Sequence, residues 1–138
     1  MEPDSNTPIV PTAPAAGRKV LCIEDEHFIS ELYARALTKG GYEVEVVADG
    51  KEALEAAQTD KYDIVLLDLM IPTISGIEIL RELRDPAQPK PIHAKIVITT
   101  NLEQREDVRA DIEKQADGYL VKAELTPHEL VDFLNNIK

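Results

Sequence analysis

The 138-residue sequence has no tryptophan, a single cysteine and only 4% aromatic residues. One cysteine cannot form a disulfide within the chain, which favours a reducing compartment. No apolar run approaches the roughly 20 residues that cross a bilayer, and the N-terminus lacks the basic cluster and apolar stretch of a signal peptide. We therefore expect a cytoplasmic protein.

Basic residues are few, since 15 Lys and Arg stand against 26 Asp and Glu and give a formal net charge of −11. This charge repels phosphate backbones and anionic lipid surfaces, so we expect no direct binding of nucleic acid or membrane. The length suits one domain with one core. Residues 1–17 contain 4 of the 9 prolines and no aromatic residue. We expect them to form a disordered Pro- and Ala-rich tail before a domain at 18–138.

Short apolar runs alternate with segments of helical spacing along the rest of the chain. Four continuous apolar runs are typical of parallel strands covered on both faces, and they lie at 20–23, 64–67, 96–98 and 119–121. Acids and valines alternate over 43–47 instead, which indicates an edge strand. A β-α order repeated about five times predicts an α/β fold with a doubly wound parallel sheet.

Several helices have recognisable ends in the sequence. A capping residue followed three positions later by Glu or Gln satisfies free backbone donors at a helix start. Four such pairs occur, namely Asp49 with Glu52, Ser75 with Glu78, Asn101 with Gln104, and Thr126 with Glu129. The pair Gly40 and Gly41 predicts the end of the first helix.

Polar side chains follow several of the predicted strands. Ligands of an open parallel sheet bind beyond the carboxyl ends of its strands, where this chain has Glu24, Asp25, Asp68, Thr100 and Lys122. Carboxylates gathered at one edge repel each other, and a divalent cation would relieve the repulsion. Oxygen ligands favour magnesium. Together with an ammonium, a hydroxyl and a nucleophilic carboxylate, such an ion makes a site for phosphoryl transfer.

These segments also carry a family resemblance. The stretches KVLCIEDE (19–26), IVLLDLMIPTISG (64–76), IVITTN (96–101) and DGYLVKA (117–123) resemble the receiver domains of two-component response regulators. The resemblance runs from about Arg18 to Lys138. It implies the (βα)5 flavodoxin-like receiver fold, with a five-stranded parallel sheet in the order 2-1-3-4-5.

The resemblance assigns a magnesium site to the acidic edge. Asp25 and Glu24 match the acidic pair that holds the ion directly or through water. Asp68 and the backbone carbonyl of Met70 would complete the protein ligands.

The resemblance also assigns the phosphoryl chemistry. Asp68 matches the phosphoacceptor, Lys122 the lysine that pairs with it, and Thr100 the hydroxyl that closes on the phosphate. Thr99 is adjacent, and strand alternation allows only one of the two threonines to face the site. Tyr119 matches an aromatic residue whose rotation follows that movement in the family.

Two departures from the family pattern stand out. Ala123 replaces the usual proline after the lysine, where the family commonly has a cis bond that would cost about 3–4 kcal/mol before alanine. Leu102 and Met70 occupy positions that tune loss of the phosphoryl group. Because neither side chain can orient an attacking water, we predict slow autodephosphorylation.

Three functions are compared. The first is a stand-alone, non-enzymatic switch that a sensor histidine kinase or phosphotransfer protein phosphorylates. It would act on a protein partner through the fourth helix, fifth strand and fifth helix, and could dimerise on phosphorylation. The second is a magnesium phosphohydrolase with an aspartyl nucleophile, which would need an acid at the position of Met70. The third is a receiver-like dimerisation scaffold without phosphotransfer.

Overall fold

A computed structural model describes residues 17–88, 91–101 and 104–137. The predicted tail therefore lies almost entirely outside the described residues. Strands and helices alternate in the order β1 (Lys19–Ile23), α1 (His27–Lys39), β2 (Glu43–Val47), α2 (Gly50–Gln58), β3 (Ile64–Asp68), α3 (Gly76–Leu83), β4 (Lys95–Thr100), α4 (Glu106–Gln115), β5 (Gly118–Val121) and α5 (Pro127–Asn136). A short 3-10 turn (Lys122–Glu124) separates β5 from α5.

The five strands form one parallel sheet in the order β2-β1-β3-β4-β5. This is the flavodoxin-like (βα)5 arrangement that the sequence predicted. β2 lies at the edge, and none of its residues is buried, as its alternating acids and valines indicated. β3 lies in the middle, and all five of its residues are buried. The carboxyl ends of β1, β3, β4 and β5 therefore meet at one edge of the sheet.

Strand alternation divides the core between the two faces of the sheet. One face carries Leu67, Ile98 and Tyr119 and packs against residues of α2, α3 and α4. The other carries Leu66 and Val97 and packs against residues of α1 and α5. This division determines on which side each polar residue beyond the strands projects.

Three of the four predicted helix starts are confirmed. Asp49, Ser75 and Thr126 each accept a hydrogen bond from the backbone N–H three residues later. The start predicted at Asn101 is wrong, because α4 begins at Glu106 after the N-cap residue Arg105. Asn101 directly follows β4, so the chain needs further residues before it can turn into the helix.

The end predicted for the first helix is confirmed. α1 stops at Lys39 with Gly40 as its C-cap. Gly41 then adopts a φ of 100°, a conformation that favours glycine. Within the part of the chain that the structure describes, no helix combines the length and apolar character needed to span a membrane.

Candidate functional site

The strand ends bring two acids and one base into contact. The Nζ of Lys122 lies 2.5 Å from Oε1 of Glu24 and 3.1 Å from Oδ2 of Asp68. All three side chains are buried, with 2–3% of their surface exposed. They project to the same face of the sheet, since each continues the alternation of a strand residue that packs against α1 and α5. A buried ammonium thus lies between two buried carboxylates.

A third carboxylate borders this cluster on its open side. Asp25 is exposed, and oxygen atoms of Glu24, Asp25 and Asp68 all lie within 4.8 Å of one another. Three carboxylates with no His or Cys among them form an oxygen-only donor set, the type that suits a hard divalent cation such as magnesium. The residues present therefore fit the ion that the sequence predicted.

Burial and ion pairing shift the pKa values of Glu24 and Lys122 in opposite directions. Burial raises the pKa of Glu24, although its hydrogen bond from Lys122 opposes the shift. Burial alone would lower the pKa of Lys122. The hydrogen bond to Glu24 and the charge of Asp68 outweigh that effect and raise it. The ammonium therefore stays charged and compensates the carboxylates at its side.

Asp68 has both carboxylate oxygens engaged. Oδ2 faces Lys122, and Oδ1 accepts a hydrogen bond of 3.1 Å from the backbone N–H of Met70. The Met70 side chain points outward and is 69% exposed. This local bond orients the carboxylate toward the rim where Asp25 lies.

Gly76, the first residue of α3, packs against the backbone at the end of β3. A Cβ at this position would overlap the carbonyl oxygen of Asp68 and come within 2.6 Å of the Cα of Leu69. The Gly76 N–H also donates to the carbonyl of Leu69 at 3.1 Å. The start of α3 is thus packed directly on the backbone of the predicted phosphoacceptor, and only glycine fits there.

The loop between β3 and α3 is also fixed to the start of α2. The N–H of Gly50 donates to the Pro72 carbonyl at 3.0 Å, and the N–H of Lys51 donates to the Thr73 hydroxyl at 3.0 Å. Thr73 has a φ of 72°, which is unusual for a β-branched residue. Two helices therefore hold the loop that follows Asp68.

The strand register separates the two threonines at the end of β4. Asp68 pairs with Thr99, and paired residues of parallel strands project to the same face. Thr100 follows as the last residue of β4 and pairs with Val121, and both threonines are buried. Because ligands of a parallel sheet bind beyond the carboxyl ends of the strands, Thr100 stays the predicted phosphate-binding hydroxyl.

Tyr119 lies on the face toward α4. It is 9% exposed, pairs in register with Ile98, and has the guanidinium of Arg109 4.4 Å from its ring centroid. Sequence reasoning missed Arg109. Its position between the inward-facing Val108 and Ile112 of an otherwise polar helix was the signal that could have identified it.

The two departures from the family pattern have different outcomes. The described residues contain no cis peptide bond, so the bond between Lys122 and Ala123 is trans. Lys122 nonetheless reaches Asp68, and Ala123 is exposed. Leu102 lies outside the described residues.

Comparison with known proteins identifies the family. Residues 20–135 match the response regulator receiver domain. The chain is 37% identical over 120 residues to the response regulator ArlR of Staphylococcus saprophyticus, covering 87% of this chain and 50% of that protein. This protein therefore belongs to the response regulator receiver family.

Solved structures agree with this assignment. One is the receiver domain of the sensor histidine kinase PA1611 of Pseudomonas aeruginosa, with a magnesium ion in its active-site cleft. Its TM-score is 0.74 at 29% identity, over 88% of this chain and 98% of that one. Another is the BeF3-activated receiver domain of RstA from Klebsiella pneumoniae. Its TM-score is 0.71 at 31% identity, over 85% of this chain and 95% of that one. The chain spans about half the length of the curated relatives it matches.

Proposed function

We propose that this receiver domain is a phosphorylation-dependent switch whose phosphoacceptor is Asp68. One observation carries the proposal. The buried Asp68 carboxylate lies between the Lys122 ammonium and the Met70 N–H, with the oxygens of Glu24 and Asp25 within 4.8 Å. An oriented carboxylate with a fixed cation and an oxygen-only metal site is the set of groups that phosphoryl transfer requires.

The proposed reaction moves one phosphoryl group. A carboxylate oxygen of Asp68 attacks the phosphorus of a phosphohistidine on a sensor kinase or phosphotransfer protein. The bond between phosphorus and the histidine nitrogen breaks, its electrons remain on the imidazole, and an acyl phosphate forms on Asp68. Lys122 then pairs with the added phosphoryl oxygens, which bring about −1.5 to −2 charges.

Glu24, Asp25, Asp68 and the Met70 carbonyl would hold the magnesium ion. When bound, it neutralises charge on the transferring oxygens. The chain's own contribution is to pair Glu24 with the Lys122 ammonium and to fix the Asp68 carboxylate through the Met70 N–H.

We assign the phosphate-binding hydroxyl to Thr100 and the aromatic switch position to Tyr119. Thr100 is the last residue of β4, at the carboxyl end of the sheet where a phosphoryl group on Asp68 would lie. Replacing Thr100 by Ala should weaken the response to phosphorylation, and Thr99→Ala is the matched control one residue away. A larger loss in Thr99→Ala would reverse the assignment.

The phosphohydrolase alternative has less support. It requires a general acid two residues after the nucleophile, where this chain has the exposed thioether of Met70. A thioether has no proton to donate. The scaffold alternative leaves the buried cluster of Glu24, Asp68 and Lys122 without a role. Action on a protein partner remains a prediction.

The proposal is tested by incubating the protein with magnesium and acetyl phosphate and measuring intact mass. We expect one phosphoryl adduct that hydroxylamine removes. Asp68→Asn should abolish it, while Asp63→Asn, directly before the first residue of the same strand, should not. No adduct with any phosphodonor would overturn the switch.

The lifetime of the adduct tests the predicted slow dephosphorylation. Met70 offers no group that orients water, so the adduct should persist for minutes or longer after the donor is removed. Loss within seconds would contradict this prediction. Repeated turnover of varied phosphate esters would support the hydrolase.

A further inference from the structure

The attachment of α4 differs from that of the other helices. Only Ile112 is buried among its ten residues, whereas α5 buries two and α1, α2 and α3 bury three to four each. Val108 is partly buried against the same core. A helix held by so few apolar side chains depends more than its neighbours on each remaining contact.

One of those contacts joins α4 to the aromatic residue of β5. The guanidinium of Arg109 lies 4.4 Å from the ring centroid of Tyr119, within the range of a cation–π interaction. Its Nε also lies 3.4 Å from Glu113, one turn further along α4. Glu113 thus fixes the guanidinium to the helix while its flat face covers the ring.

The contact also lies close to the phosphorylation site. Tyr119 pairs with Ile98, and Thr99 and Thr100 follow Ile98 at the end of the same strand. A movement of the end of β4 toward a phosphoryl group would therefore reach the strand that carries Tyr119. A displacement of the ring away from α4 would weaken its contact with Arg109.

We propose that Arg109 is a positioning residue that latches α4 to Tyr119 in the unphosphorylated state and so opposes the switch. The latch rests on the proposed function of Asp68 and deepens it. A contact present in only one of two states shifts their equilibrium by its free energy. Removing the guanidinium should therefore favour the phosphorylated-like state.

The test uses beryllofluoride as the phosphoryl analogue, titrated in the presence of magnesium and followed by NMR of backbone amides. Arg109→Met keeps the apolar stem but loses the charge. We expect it to bind beryllofluoride about three- to tenfold more tightly than the wild type. Before any addition, its amide signals in β5 should already be shifted toward those of the bound wild type.

Matched variants separate the latch from general destabilisation. Arg105→Met removes a cation from the start of the same helix, where it pairs with Asp107 at 2.7 Å, and should bind beryllofluoride like the wild type. The effect of Arg109→Met should persist in Tyr119→Phe, which keeps the aromatic face. It should disappear in Tyr119→Leu, which removes that face.

The outcomes distinguish the latch from the function beneath it. No saturable binding of beryllofluoride by the wild type would overturn the proposed function, and the latch with it. Binding by the wild type with equal or weaker binding by Arg109→Met would overturn the latch alone. The same conclusion follows if Arg109→Met has an unchanged effect in Tyr119→Leu.

Discussion

Two neighbouring junctions at the site edge are built differently. At the junction of β3 and α3, Ser75 caps the helix, Gly76 packs on the Asp68 carbonyl, and four of the eight α3 residues are buried. At the junction of β4 and α4, the N-cap Arg105 makes no side-chain capping bond and Ile112 is the one buried residue of the helix. The acceptor carboxylate is thus held rigidly, while the adjacent helix can shift at small cost.

This difference suits a switch. Phosphoryl transfer needs a carboxylate with a fixed orientation, because a small misplacement slows the reaction strongly. The response needs an element with two accessible positions. The fixed carboxylate follows β3 and the movable helix follows the adjacent β4. A change at Asp68 can therefore reach α4 while the carboxylate keeps its orientation.

The largest expected effect comes from truncating the apolar anchor of each helix. Ile79→Ala in α3 should cost on the order of 4 kcal/mol, because the packed surroundings cannot collapse into the cavity. Ile112→Ala in α4 removes the same atoms but should cost about 2 kcal/mol, because this helix can move inward. Urea unfolding of both variants measures the difference.

Phosphorylation by acetyl phosphate gives a second test of the difference between α3 and α4. The Ile112→Ala protein should still accept a phosphoryl group at a temperature where it is folded, because α4 does not hold Asp68. Equal losses of stability in the two variants would show that the helices are anchored equally, contrary to the contrast between the junctions.

Gly76→Ala tests the rigid junction directly. The added Cβ would press on the Asp68 carbonyl, which is backbone and cannot rotate away. We expect a loss of about 3 kcal/mol in the free energy of unfolding. Displacement of the acceptor should also slow phosphorylation at least tenfold.

Gly40→Ala is the matched control for Gly76→Ala. Its Cβ would meet a terminal methyl group of Val131 at 3.1 Å, away from the site. This variant should be phosphorylated at the rate of the wild type. Normal phosphorylation of Gly76→Ala would show that the close packing under Asp68 is not needed for the chemistry.

Local sequence patterns predicted the sheet and most helix starts, for a physical reason. A capping box such as Thr126 with Glu129 depends on neighbours three residues apart. The pair Asn101 and Gln104 has the same spacing, yet α4 begins at Glu106. A capping pattern permits a helix start, and the path of the chain between strand and helix decides whether it is used.

The sequence was enough to predict which residue types form the site and at which strand ends they lie. Because carboxyl ends of parallel strands meet, Glu24, Asp68 and Lys122 could be expected together, and the structure places them in contact. The choice of Thr100 over Thr99 came from the family resemblance and stays a prediction, since two identical neighbours at one strand end differ only in the face to which they project.

A smaller effect is expected at Asp49, the acid that helps hold the loop after Asp68. Hydrogen bonds from the Glu52 N–H and from the Thr73 hydroxyl hold the pKa of Asp49 below its ordinary value of 3.8. A lowered pKa in the folded state stabilises the protein above pH 3.8, and that stability is lost as the pH falls through the lowered value. Asp49→Asn keeps a capping side chain but lacks the charge, so it should be less stable than the wild type at pH 7, and the difference should shrink as the pH falls below 3.8.

Asp107→Asn provides the counterpart on α4. Hydrogen bonds from the Arg105 guanidinium lower the pKa of Asp107, so its contribution follows the same pH dependence. Because α4 contributes less to the packed core, we expect a smaller difference at pH 7 than for Asp49→Asn. Urea unfolding at a series of pH values measures both variants, and a larger effect at Asp107 would reverse the contrast between the rigid and the movable junction.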